Sequence, residues 1–223
     1  MNRARTKVTI WSSSHCMPKR CFPTYLEEHF LLQNRFENPR IIAKGGQRLT
    51  DTLTDKIVET IESSDPKTNF VHVFILGDND LRANLEVKSI IQKFEHIVET
   101  ASKFPNCYIV ICSLIHGVSF DRNRIDRFFQ LDKKLRLLVK VHSPFCRLLN
   151  LKNKLIRDLH YHCDCVHLNK AGTRILADSV FNSVRCIPHF ERVEKSNSEK
   201  VEKKVRKSRK ESRLVKKIQN EPL

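Results

Sequence analysis

The feature that most constrains this chain is a repeated alternation of short apolar runs with longer amphipathic stretches. The runs at 7–11, 40–43, 70–76, 107–112 and 145–151 are short and apolar, as strands buried on both faces of a sheet must be. Between them, 49–62 puts Leu53, Ile57, Val58 and Ile61 on one side of a helix, and 85–102 does the same with Ile90, Ile91, Phe94, Ile97, Val98 and Ala101. The stretch 124–141 continues with Ile125, Phe128, Phe129, Leu131, Leu135, Leu138 and Val139, and 170–184 closes with Ile175, Leu176, Val180 and Phe181. The order reads β-α-β-α-β-α-β-α-β-α. Parallel strands need a crossover long enough to hold a helix, so this order predicts a three-layer α/β/α sandwich around a central five-stranded, mostly parallel sheet. No internal repeat interrupts it.

The pattern stops at Phe190. Apolar residues make up 40 % of the 223 residues and are concentrated before that point, enough to give one domain a core of its own. The expected organisation is a polar N-terminus over 1–6, one domain over 7–190, and a tail over 191–223. The tail holds 12 Lys/Arg against 6 Glu, a charge of +6, which leaves +10 of the chain's +16 on residues 1–190. It cannot bury enough apolar surface to offset the entropy of ordering, so a disordered basic tail is predicted. Its cationic cluster at 203–217 suits non-specific contact with nucleic acid, through counterion release, or nuclear import. A solvated basic surface accounts for the same charge equally well.

The stretch 1–7 is polar and basic and leads directly into the first strand, with no apolar signal region. The eight cysteines are accordingly expected to be reduced thiols, in a cytoplasmic or nuclear compartment. No apolar stretch approaches the ~18 residues of a membrane span, so a soluble protein, taken as a monomer, is expected.

In open α/β sheets, functional groups collect in the loops at the carboxyl ends of the strands. Here the first strand ends in Ser12-Ser13-Ser14-His15, the second in Gly45-Gly46, and the third in Gly77-Asp78-Asn79-Asp80; Asp164-Cys165-Val166-His167-Leu168-Asn169 precedes the last helix. Each motif alone is weak, since serine runs, Gly-Gly turns and capping Asp residues are common in loops. Together, in this order and on these loops, they are specific.

The set resembles the four sequence blocks of the SGNH hydrolase superfamily, the GDSL-like esterases and lipases. It is most similar to the variety whose first block reads Gly-Asp-Ser-His, met in open reading frames of mobile elements. Ser14-His15 matches the end of that block, and the run from Gly46 to Asp51 resembles the glycine block. Leu76-Gly77-Asp78-Asn79-Asp80-Leu81 resembles the Gly-x-Asn-Asp block, and the run from Asp164 through His167 to Gly172 resembles the last. The likeness covers about residues 7 to 184 and implies a flavodoxin-like SGNH fold.

It also implies roles. Ser14 would be the nucleophile, His167 the base that takes its proton, and Asp164 the group that orients His167. The backbone N–H groups of Ser14 and Gly46 and the side-chain amide of Asn79 would form the oxyanion hole. Gly77 would let the backbone turn tightly under Asn79, and Asp80 would cap the following helix; both are structural at the site. The first block departs from the family: Ser12-Ser13 stand where Gly-Asp is usual, removing a turn glycine and a carboxylate that helps hold the loop, and the Ser13 hydroxyl is the group able to replace some of those bonds. His160, His162, Cys163, Cys165 and His167 also form a dense cluster. Its irregular spacing and the lack of a Cys-x-x-Cys pair argue against zinc, so neither metal nor cofactor is expected.

Two functions follow. The first is a serine esterase cleaving a small O-acyl ester through an acyl-enzyme. The alternative is a catalytically impaired domain of the same fold acting as a nucleic-acid-binding or interaction module, which the charge on domain and tail would suit. Retention of all five site residue types favours the first, and the altered first block favours the second.

Overall fold

A computed structural model describes residues 5–17, 21–33, 35–115, 122–151, 153–164 and 166–187. The chain divides into two units, Met1–Cys186 and Ile187–Leu223. The tail expected over 191–223, its cluster at 203–217, Cys165 and most of the stretch 1–6 lie outside the described residues.

The strands are β1 (Lys7–Ser12), β2 (Arg40–Ala43), β3 (Phe70–Ile75), β4 (Cys107–Cys112) and β5 (Cys146–Leu149). They form one five-stranded sheet in the order β2-β1-β3-β4-β5, with every pairing parallel. The helices are α1 (Phe22–Leu31), α2 (Asp51–Glu62), α3 (Asp78–Arg82), α4 (Val87–Ser102), α5 (Arg122–Val141), α6 (Arg157–His160) and α7 (Lys170–Arg185). β4 is buried along its whole length, and β1 and β3 everywhere but at their first residue. This is why these strands read as continuous apolar runs rather than alternating ones.

Successive side chains of a strand point to opposite faces, and the two faces take different helices. Trp11, Phe74, Ile109 and Ile111 join one core cluster with Leu53, Ile57 and Ile61 of α2, Ile90, Phe94 and Ile97 of α4, and Phe128, Leu131 and Leu135 of α5. Val8, Ile10, Val71, Val73 and Val110 are equally buried but face away from that cluster. On their side α1 packs against α7, with the Phe30 and Phe181 rings edge to face at 5.3 Å. Two helix starts are capped as their sequences dictate. The Thr50 side chain accepts from Leu53 N–H at 3.2 Å ahead of α2, and that of Asn169 accepts from Gly172 N–H at 3.0 Å ahead of α7.

Several expectations are corrected. β5 is shorter than 145–151, and β3 stops before Leu76. The helix that the expected order requires between the first two strands, for which the periodicity gives no bounds, is α1, where Phe22, Leu26 and Phe30 recur every fourth residue around a proline in the first turn. In α5 the buried stripe is Phe128, Leu131, Leu135 and Leu138, while Ile125 and Phe129 are 36 % and 53 % exposed. A 20-residue helix at the margin of a sheet is covered along a narrower face than its apolar content suggests.

Candidate active site

β1 lies between β2 and β3, so the chain departs from it in both directions. In open α/β sheets such a reversal is where ligands are received, beyond the carboxyl ends of the strands. Ser12 is level with Ala43 of β2 and with Ile75 of β3. Lys44 N–H donates to Ser12 O at 3.3 Å and Ser13 N–H to Ile75 O at 3.4 Å. The three loops carrying the serine, glycine and asparagine blocks therefore start from one level.

Ser12 and Ser13 are fully buried, whereas Ser14, which opens a single 3-10 turn over Ser14–Cys16, reaches solvent. Only one of the three serines is thus accessible to a substrate. The neighbouring Cys16 thiol is not a competing nucleophile: it is buried, and burial pushes its pKa far up.

The second and third loops are tied together. The Asn79 amide donates from Nδ2 to Gln47 O at 3.1 Å, and both Asp80 oxygens accept from Leu49 N–H, at 2.9 and 3.1 Å. Asp80 therefore does not cap the following helix. It lies inside α3, and its buried carboxylate clamps the loop that carries Gly46. Burial pushes its carboxyl up, with the Leu49 N–H as the main opposing influence. Gly46 turns with φ 68° and is exposed; Gly77 has φ 108°, and a Cβ there would meet Leu114 Cδ2 at 3.1 Å. Both positions require glycine's freedom at positive φ.

The last block is a clamped loop. Tyr161 and Leu168 bridge in antiparallel fashion, His162 N–H donates to His167 O at 2.8 Å, and Asn169 N–H to His160 O at 3.0 Å. Within it, His167 Nδ1 lies 2.6 Å from Asp164 Oδ2, while Asp164 Oδ1 accepts from the N–H groups of Val166 and His167, both at 2.9 Å. The His167 backbone N–H, its ring and the Val166 N–H together hold the Asp164 carboxyl well below the usual range, so it is ionised at neutral pH. With Nδ1 engaged by Asp164, Nε2 of His167 is left for other chemistry.

The His167 ring faces His15, the residue after Ser14, with centroids 6.0 Å apart and planes tilted by 55°. The fold thus brings the first and last blocks side by side, although Ser14 Oγ makes no hydrogen bond to His167. Asp78 also enters this cluster, its Oδ2 lying 3.6 Å from His15 Nε2. The resemblance implies no role for Asp78 or His15, and their one sequence signal is that both lie inside matched blocks. His160 is used locally, its Nδ1 accepting from Ile156 N–H at 2.7 Å. Among the described residues, no three His, Cys, Asp or Glu side chains converge as metal ligands.

No protein-family model matches the sequence, and no curated protein matches it. Solved structures do match the fold. A carbohydrate esterase of family 3 from Talaromyces cellulolyticus superposes with a TM-score of 0.63 at 14 % identity, over 80 % of this chain and 96 % of that one. An acetyl esterase solved with acetate ion gives 0.65 at 15 % identity, over 84 % and 99 %. A member of the lipolytic G-D-S-L family from Veillonella parvula gives 0.60 at 13 %, over 79 % and 97 %. The chain has an SGNH-like α/β fold with a five-stranded parallel sheet flanked by helices. Among the described residues, no helix is long and apolar enough to cross a membrane.

Proposed function

We propose that this protein is a serine esterase acting on O-acyl esters. The observation that carries the reading is the imidazole–carboxylate pair of His167 and Asp164, closed at 2.6 Å and lying beside the Ser14 turn at the carboxyl edge of the sheet. In this reading Ser14 Oγ attacks the ester carbonyl while His167 Nε2 takes its proton, and Asp164 stabilises the imidazolium that forms. The N–H groups of Ser14 and Gly46 and the free amide hydrogen of Asn79 receive the oxyanion; the other amide hydrogen is committed to Gln47 O. His167 then returns the proton to the departing alkoxide, and a water molecule cleaves the acyl-enzyme by the reverse sequence. The missing Ser14–His167 hydrogen bond is compatible with this scheme, because such contacts often tighten only around bound substrate.

The substrate class follows the neighbours of the same fold that act on acetyl and carbohydrate esters. Reaction of the protein with a fluorophosphonate probe and hydrolysis of a short-chain aryl ester test the reading. Both should be lost in Ser14→Ala. Hydrolysis that survives in Ser14→Ala, or absence of labelling at Ser14 in the parent, overturns it.

A further inference from the structure

The reaction scheme leaves a second imidazole without a task. His15 is only 2 % exposed, and its Nε2 faces the buried Asp78, whose Oδ2 is 3.6 Å away. On its other side lies the ring of His167. Four side chains therefore run from core to solvent in the order Asp78, His15, His167, Asp164. The outer two belong to one loop and are substantially exposed, 28 % for His167 and 46 % for Asp164. Their bond orients the His167 ring but does not relate it to Ser14. His15 does so, being covalently next to Ser14 and in ring-to-ring proximity to His167.

The energetics favour an engaged inner pair. A buried carboxylate is costly unless paired. Burial pushes the Asp78 carboxyl up, yet the His15 imidazole, followed by Arg82 and the Asn79 N–H, holds it below the usual range. The Ser13 hydroxyl stands where the related first block has its aspartate, and it is buried without a hydrogen-bond partner among the described residues. The position-13 side chain therefore lends the Ser14 turn no hydrogen bond, and only the Ser13 backbone N–H, donating to Ile75 O, ties it to the sheet. A carboxylate does reach the turn from another element, that of Asp78, the first residue of α3.

We propose that Asp78 and His15 form a positioning pair that holds the Ser14 turn against His167, supplying from the start of α3 the support that a Gly-Asp-Ser-His block draws from its own aspartate. The proposal rests on the esterase reading of Ser14 and His167. Neither Asp78 nor His15 touches the reacting atoms in this scheme.

The test is Asp78→Asn, which keeps the shape and removes the charge. With a short-chain aryl ester, kcat should fall about 10- to 100-fold while KM stays within about twofold, the signature of lost alignment rather than lost binding. Adding Ser13→Asp to Asp78→Asn should restore most of the rate by returning a carboxylate to the turn. A purely structural role would not predict that recovery, so its absence counts against the pair. A kcat for Asp78→Asn within about threefold of the parent overturns the proposal. A readout independent of turnover is the imidazole NMR spectrum: Asp78→Asn should move the ring resonances of His15 and, through it, those of His167. Unmoved His167 resonances overturn the proposal even if the protein hydrolyses no ester, whereas loss of Ser14 labelling in the parent overturns only the esterase reading. Should Asp78→Asn not fold, His15→Gln reports the same coupling through the His167 resonances and kcat.

Discussion

Replacing Gly172 by alanine should destabilise the domain and loosen the His167 loop, although alanine is the better helix former. Gly172 sits in the first turn of α7, where a Cβ would stand 2.2 Å from the His160 carbonyl oxygen and 3.1 Å from its carbon. An ordinary contact is more than ~1 Å longer, and the obstacle is backbone, which cannot swing aside as a side chain can. Helix propensity would contribute at most about 1 kcal/mol in favour of alanine, against about 1–3 kcal/mol or more for overpacking at a site that cannot relax. A backbone contact at 2.2 Å belongs at the upper end of that range, so the net loss should be about 2 kcal/mol, or roughly 4–8 °C in Tm for a domain of this size. His160 O also accepts from Asn169 N–H, whose side-chain amide bonds Leu159 O and Tyr161 O, so the displacement passes into the loop that carries Asp164 and His167. A misplacement of ~1 Å can cost about 10²-fold in rate. Thermal denaturation followed with fluorophosphonate labelling kinetics measures both effects. Gly45→Ala is the stability control, because its Cβ would meet only Met17 Sδ, at an ordinary 3.6 Å. A Gly172→Ala protein with a Tm at or above that of the parent would refute the reasoning.

Other outcomes follow from the same contacts. His72 is buried in β3 and accepts from Trp11 Nε1 at 3.4 Å, and burial lowers its pKa from 6.5 to about 4. The unfolded chain therefore binds the extra proton first. The contribution of His72 to stability is complete above pH 6.5, falls as the pH drops towards 4, and totals about 3 kcal/mol. Urea denaturation should show the difference between parent and His72→Gln shrinking by that amount from pH 7 to pH 4, and a constant difference would exclude it. Asn79→Ala should lower kcat about 10²- to 10³-fold with little change in KM for an aryl ester, and an unaltered kcat removes Asn79 from the oxyanion hole. Phe94→Ala, on the buried face of α4, should cost about 3–5 kcal/mol in chemical denaturation, and a loss under 1 kcal/mol would contradict its packing in the core cluster. Salt-dependent binding of single-stranded RNA, if carried by the basic tail, should vanish on truncation after Phe190; persistence would assign it to the domain.

The sequence by itself determined the layer architecture and where along the chain the candidate site's loops fall. Both depend on local periodicity: buried parallel strands must be apolar throughout, helices must repeat every three to four residues, and the loops between them carry the polar motifs. The Asp164–His167 pair was legible for the same reason, since both residues lie within one turn of chain. Tertiary structure alone decided that Ser14 is open while Ser12 and Ser13 are buried, that Asp80 clamps Leu49 instead of capping a helix, and that Asp78 meets His15. Each of these depends on β3 docking beside β1 with Ser12 level with Ile75. That register is chosen by burial across the whole sheet, where shifting the pairing by one residue would turn every side chain of the strand to the other face. No local pattern in the chain encodes it.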